Sequence, residues 1–202
     1  MIEYFIALTP EQKLYKKIAA VKSYVLRTYG DHTYLLDPPH TTLCVGTTND
    51  PEETARELEA FAKKSSRINF QIIDWLIFAN DKVTRSSSLV LKFNENCIKP
   101  LRQIQAGVLS AVAPSRHKVY ANRYKEIKFS GLEKDNLDRF GFPYIGDIWI
   151  PHIGICSMPD EYIADATSKF DIGDFGQSCF EKITLYKLED EKPVLIRSFN
   201  LL

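Results

Sequence analysis

The chain has 202 residues, 45% of them hydrophobic, and its 26 Lys plus Arg are balanced by 26 Asp plus Glu. That length and apolar content suit one domain with a sizeable core, and the zero net charge excludes a global field of the kind that draws a protein onto duplex nucleic acid or an anionic membrane. No apolar run approaches the roughly 18 residues that span a bilayer, and the opening MIEYFIALTP carries Glu3 within its apolar stretch and no basic segment before it, so a soluble, unexported, cytoplasmic protein is expected.

The first strand is predicted at 2–8, after which Thr9, Pro10 and Gln12 offer an N-cap, a first-turn proline and a capping-box partner for a helix. Leu14, Ile18, Val21 and Val25 recur at helical spacing, and the helix should fade before Gly30. In DPPHTTLCVG the two prolines forbid a helix and the β-branched run after them favours a strand, which puts His40 at a strand's entrance. Asp50, Pro51 and Glu53 start a second helix, with Ala55, Leu58 and Phe61 on its inner face. Strands follow at about 68–79 and 87–93. A third helix, about 98–112, turns Leu101, Ile104 and Val108 inward until Pro114.

From Pro114 to Asp147 the pattern loosens, apart from a short strand candidate at KEIKF, and loops of that length in compact domains are usually functional or disordered. Regularity returns at DIWIPHIGICS, read as a strand. A short helix from about Pro159 and strands near 178–188 and 193–200 complete the chain. Cys44, Cys97, Cys156 and Cys179 stand far apart without a C-x-x-C pair, the pattern of free buried thiols rather than of a disulfide scaffold or thiolate metal site.

The strongest signal is an internal repeat. PHTTLC and PHIGIC align from His40 and His152, with proline before and cysteine four residues after each histidine. Downstream, His40 is followed by a capped helix, a strand near Phe70 and a hairpin partner near Leu89; His152 is followed by a helix, a strand near Phe180 and a partner near Val194. Two copies of one supersecondary unit should pack about a pseudo-twofold axis. Residues two apart on a strand share a face, so His40, Thr42 and Cys44 should lie together, as should His152, Gly154 and Cys156, with both imidazoles toward one cleft. A single histidine after proline is an ordinary strand residue; two in matched frames point to a shared site. The cysteines are expected to be core residues behind the histidines.

These paired H-x-[ST] motifs, one in each half of a duplicated α+β domain, resemble the two-histidine (2H) phosphoesterases, the group of RNA 2′,5′-ligase-like proteins, cyclic phosphodiesterases and 2′,5′-oligoadenylate-degrading enzymes. His40-Thr41-Thr42 matches the motif in full, whereas His152-Ile153-Gly154 has glycine where the family has Ser or Thr. The resemblance implies a single α+β domain over 1–202, duplicated and bilobal, with pseudo-repeats about 1–113 and 114–202 and two antiparallel sheets around a central cleft with helices packed outside. It further implies metal-independent hydrolysis of a phosphodiester in a cyclic phosphate, a 2′,5′-linked or short RNA or a cyclic oligonucleotide, by a monomer that needs no cofactor and no membrane. His40 and His152 would serve as general acid and base, in an order the sequence leaves open, since imidazoles with an unperturbed pKa of about 6.5 fill either role. Thr42 would donate to a non-bridging phosphate oxygen, and Gly154 can contribute only its backbone.

Between Arg116 and Lys128 the sequence RHKVYANRYKEIK holds five basic residues against one acid. Basic groups alternating with tyrosines suit a phosphate plus a stacked base, so Tyr120, Arg123 and Tyr124 are candidate substrate contacts, with Trp149 at the mouth of the second motif as another. His32 and His117 read as surface residues. One rival is a catalytically weak or inactive RNA- or nucleotide-binding module of the same fold; another, a metal-dependent hydrolase using the histidines with Asp37 and Asp147, fits no ligand spacing.

Overall fold

The computed structural model describes residues 1–117 and 119–202; Lys118, inside the basic stretch, lies outside the described residues. Strand β1 (Ile2–Pro10) runs through the middle of the sheet and leads into helix α1 (Gln12–Tyr29), whose buried face carries Leu14, Ile18, Val21, Lys22 and Val25. The anticipated cap is corrected: Thr9 and Pro10 stay in the strand against Lys182 and Phe180, and Glu11 precedes the helix without a side-chain cap bond. Thr9 Oγ1 instead bonds Thr184 Oγ1 across the sheet at 2.9 Å, which removes it from capping. Strand β2 (Thr41–Thr48) begins one residue after His40, and helix α2 (Pro51–Ala62) starts as read, with Asp50 accepting from the Glu53 N–H at 2.9 Å.

Strands β3 (Ile68–Phe78) and β4 (Ser87–Phe93) form a hairpin, followed by helix α3 (Ile98–Ala111) and the two-residue strand β5 (Arg116–His117). KEIKF forms no strand. A single helical turn at Asn122–Tyr124 and the bond from Ile127 N to Tyr124 O curl the chain there, while Tyr124 and Phe129 pack edge to face, 6.0 Å between centroids. Helix α4 (Gly131–Phe140), absent from the sequence reading, buries only Leu137, so it has no apolar stripe to betray it; Gly141 ends it in the left-handed region at φ 73°.

Strand β6 is shorter than DIWIPHIGICS suggested, spanning His152–Met158, because Arg102 holds Asp147 through both its carboxylate and its carbonyl, each at 2.8 Å, in a separate turn. Helix α5 (Asp160–Ser168) and the long hairpin of β7 (Gln177–Glu189) and β8 (Lys192–Asn200) follow.

The architecture is α+β, with every strand pairing antiparallel in the order β5-β2-β1-β7-β3-β4-β6 and β8 on β7. Strand β3 joins two wings: its first residues, Ile68–Gln71, lie on β7, and from Ile72 onward it pairs with β4. Each strand–helix–hairpin unit therefore crosses from one wing to the other. The first begins with β2 and ends in β3–β4; the second begins with β6, beside β4, and ends in β7–β8, with β7 beside β1. No described helix is long and apolar enough to cross a membrane. Cys44, Cys97 and Cys156 are buried free thiols, and Cys179 is half-buried.

Candidate active site

The two motifs meet at a cleft of about 460 Å³, which His40, Thr42 and Val45 enter from one wing and His152, Gly154 and Cys156 from the other. Both imidazoles are held in the same way. His40 Nδ1 lies 2.6 Å from the Pro38 carbonyl oxygen and His152 Nδ1 lies 2.8 Å from that of Ile150. A carbonyl can only accept, so Nδ1 carries the proton in each neutral ring and Nε2 is left as the basic nitrogen. In both cases the accepting residue precedes a proline, whose ring confines it to extended backbone. The proline-led motif thus encodes a ring clamp and not merely a bend.

Each ring is also backed by a phenylalanine at a centroid distance of 5.0 Å, Phe5 for His40 and Phe78 for His152. Burial is the main reason the His40 pKa falls to about 4; the Pro38 bond opposes the shift, and the positive charges of Lys22, His152 and Arg123 reinforce it. Burial likewise lowers His152, against the opposing Ile150 bond and the negative charge of Asp81. The strands are tied to one another by Thr41, whose buried hydroxyl donates to the His152 carbonyl at 2.9 Å.

Bulges recur at matched positions. Cys44 pairs with Ile6 and Thr42 with Ala7, which leaves Leu43 as the extra residue; Cys156 pairs with Leu89 and Gly154 with Val90, which leaves Ile155. Each extra residue stands three after its histidine. On β2 the cleft is lined by Val45 rather than Cys44, whereas on β6, with its bulge at the matched position, Cys156 lines it; both cysteines are buried. The expectation that Cys44 shares the histidine face is corrected on that ground.

At the third motif position the two sides part. Thr42 Oγ1 sits 3.1 Å from His40 Nε2. Across the cleft, a Cβ built on Gly154 would meet no atom within 4 Å, so its place is open space. Arg123, Tyr124 and Trp149 line the cleft, but Tyr124 and Trp149 are each 3% exposed, walls rather than free faces. Tyr120 does not line it: its hydroxyl is bonded to Asp138 on α4, which turns it to the outer side of the loop. Asp37 borders the cleft, whereas Asp147 is paired with Arg102 over a separate groove. Among the described residues, potential metal ligands converge at Glu11, Cys179 and Glu181, none of which lines the cleft. His32 bonds the Tyr29 carbonyl oxygen at 3.0 Å and His117 is exposed in β5, both outside the site.

Two lining residues, Lys22 and Asp81, escaped the sequence reading. Lys22 sits on the buried face of α1, four residues after Ile18, and a lysine inside an apolar stripe was a legible signal. Tyr34 adopts φ 70°, an uncommon left-handed conformation for a non-glycine residue, and its burial pushes the phenol up to about 12. Asp81 accepts a hydrogen bond from Ser88 Oγ at 2.8 Å beside His152.

No protein-family profile matches the sequence, nor does any curated protein. Solved structures do. TT0787 of Thermus thermophilus aligns at 14% identity over 99% of this chain and 98% of its own, with a TM-score of 0.59. E. coli LigT complexed with 3′-AMP aligns at 13% identity over 99% and 98%, with a TM-score of 0.54. A structure described as a phosphoesterase aligns at 13% identity over 100% and 99%, with a TM-score of 0.51. The chain has the fold of these proteins along its whole length.

Proposed function

We propose that this chain is a two-histidine phosphodiesterase that hydrolyses, without a metal, a phosphodiester in a cyclic phosphate, a 2′,5′-linked or short RNA, or a cyclic oligonucleotide. The observation that carries the reading is the pair of matched imidazoles in one cleft, each with Nδ1 locked on the carbonyl two residues earlier. LigT, which shares the fold, has been crystallised with 3′-AMP, ATP, NADP+ and phosphate, ligands of the chemistry proposed here.

His40, bonded to Thr42, is assigned as the base and His152, which Asp81 favours in its charged form, as the acid. As water attacks phosphorus, His40 Nε2 takes its proton; as the P–O bond to the ribose breaks, protonated His152 delivers a proton to the departing oxygen. Exchange with solvent then resets both rings. Thr42 is coupled to this transfer. The single lone pair of His40 Nε2 cannot hold the Thr42 hydroxyl and take the proton of water at once, so as substrate binds the Thr42 hydroxyl turns from Nε2 to the non-bridging phosphate oxygen, which frees Nε2 for the water.

The test is turnover of nucleoside 2′,3′-cyclic phosphates, 2′,5′-linked oligoadenylate and cyclic di- and trinucleotides in the presence of chelator, with His40→Ala and His152→Ala in parallel. Chelator-resistant cleavage lost in both variants supports the reading. The bare Gly154 favours one alternative, a binding module of the same fold, which would bind nucleotides with no cleavage of any member of the panel.

A further inference from the structure

On the phosphodiesterase reading, the second half of the phosphate grip is missing at Gly154, yet the cleft contains a buried cation that no carboxylate among the described residues contacts directly, although the charge of Asp37 is felt there. Lys22 is 4% exposed and borders the cleft. Its Nζ donates to the carbonyl oxygens of Tyr34 at 2.6 Å and Asp37 at 3.0 Å, and among the described residues no carboxylate pairs with it. An ammonium has three protons, so one remains to be given. Burying that charge is costly; two carbonyls and the more distant Asp37 carboxylate offset part of the cost, and an anion in the cleft would offset more.

The position of Lys22 is as informative as its burial. The segment it pins ends in Pro38, the acceptor for His40, and its charge is felt at His40 on one side and at Cys156, two residues beyond Gly154 on β6, on the other. It lines the same cleft as the first histidine and as Gly154 and Cys156 of the strand that lacks a hydroxyl. The space over Gly154 is open, so no side chain blocks an anion from reaching it. Arg123 also lines the cleft, but it comes from the single helical turn that precedes α4 and not from an element that pins the His40 segment.

We infer that Lys22 is the phosphate-binding group on the β6 side of the cleft, replacing the hydroxyl that Gly154 lacks, so that the scissile phosphate is gripped by one hydroxyl and one ammonium. This rests on the phosphodiesterase reading of the same site. It assigns Lys22 a direct contact with substrate and makes the glycine a place where the ligand sits, not a defect. Burial brings the Lys22 pKa down to about 8, which still leaves it mainly charged at neutral pH.

The test is a titration of the full chain with 3′-AMP and, separately, adenosine, using the wild type, Lys22→Met, Gly154→Ser, the double variant and Arg123→Met. The wild type should prefer 3′-AMP, and Lys22→Met should cut that preference about tenfold or more, the loss expected for a charge-assisted hydrogen bond, with adenosine binding unchanged. Gly154→Ser alone should change little, because the position is already served, yet it should restore much of the preference when Lys22 is Met. A lysine that only braces the 34–37 segment would weaken both ligands alike. An unchanged preference in Lys22→Met, or its loss in Arg123→Met alone, overturns the assignment. If Lys22→Met fails to fold, Gly154→Ser decides: a gain of about tenfold in 3′-AMP affinity would mean that nothing had filled the gap. Should the wild type bind 3′-AMP in a Lys22-dependent way but cleave no substrate, the phosphodiesterase reading fails and the phosphate site stands.

Discussion

On the β2 side of the cleft, His40 is clamped through Nδ1, backed by Phe5, followed three residues later by a bulge, and bonded to Thr42. The β6 side repeats the clamp on Ile150, the phenylalanine and the bulge, but offers bare backbone at Gly154. Everything that orients the imidazoles is thus duplicated, and what differs is the residue at the third motif position, the group that would meet the anion on the proposed reading. Ring orientation is set by backbone features, a residue held extended by the next proline and an extra residue in the strand, so it survives a change of side chain. Contact with an anion, on the proposed reading, would hang on single side chains and be free to move to another element.

The largest test of this comparison is removal of either ring. His40→Ala and His152→Ala should each lower turnover by about 10²–10⁴-fold, the usual range for a general acid or base, measured as kcat on the best substrate of the panel. If only one variant is impaired, the duplication is structural and not chemical. Next comes the hydroxyl: Thr42→Ala should cost on the order of 100-fold in kcat, against little effect for Gly154→Ala. Comparable losses at both positions would erase the asymmetry.

The pH profile sharpens the division of roles. Both histidines are lowered, so kcat/KM should peak on the acid side of 6.5, with the acid limb descending toward about 4, where His40 takes up its proton. Stability follows the same groups. Between pH 6.5 and about 4 the unfolded chain binds more protons than the folded one, so the contribution from His40 is complete above 6.5 and is lost as the pH falls. Denaturant titrations should show about 2 kcal/mol less stability at the lower end from this ring, allowing for screening at a half-buried site, and His40→Ala should flatten that slope.

The smaller effects concern what holds the sides together. Gln105, 1% exposed, donates to the carbonyl oxygens of Leu43 at 2.9 Å and Tyr144 at 3.0 Å and accepts from the Gly146 N–H at 3.1 Å, so it binds the β2 bulge to the approach to β6. Gln105→Leu should cost about 2–3 kcal/mol in urea unfolding, since buried backbone groups would be left without partners. Thr41→Val should cost about 1 kcal/mol by the same measurement, with a modest fall in kcat as the His152 carbonyl loses its donor.

Helices α1, α2 and α3 and the long strands were legible because each carries a strong apolar period or a cap, and the histidine pair was legible because the motif recurs in frame. Helix α4 was not, since a helix that buries Leu137 alone writes no stripe. KEIKF reads as a strand by composition, but Tyr124 and Phe129 are claimed by an aromatic cluster instead. Within the site, Tyr120 was misplaced because alternation of basic and aromatic residues does not tell which side of a helical turn each will take. Lys22 was overlooked although its place among Ile18, Val21 and Val25 marked it. Phe5 and Phe78 were invisible for a different reason: pairing across strands far apart in sequence brings them to the rings.

The crossing of the chain between wings bears on synthesis. Strand β1 lies between β2 and β7, and its second neighbour is translated more than 160 residues after it. Contacts of such long sequence separation form slowly, and until they form an edge of β1 lies open. A ribosome-bound intermediate would hold both histidines well before the wing that supports His40 is closed. The assembled cleft, and with it any activity of the proposed kind, should therefore arrive with the β7–β8 hairpin rather than grow as each motif appears.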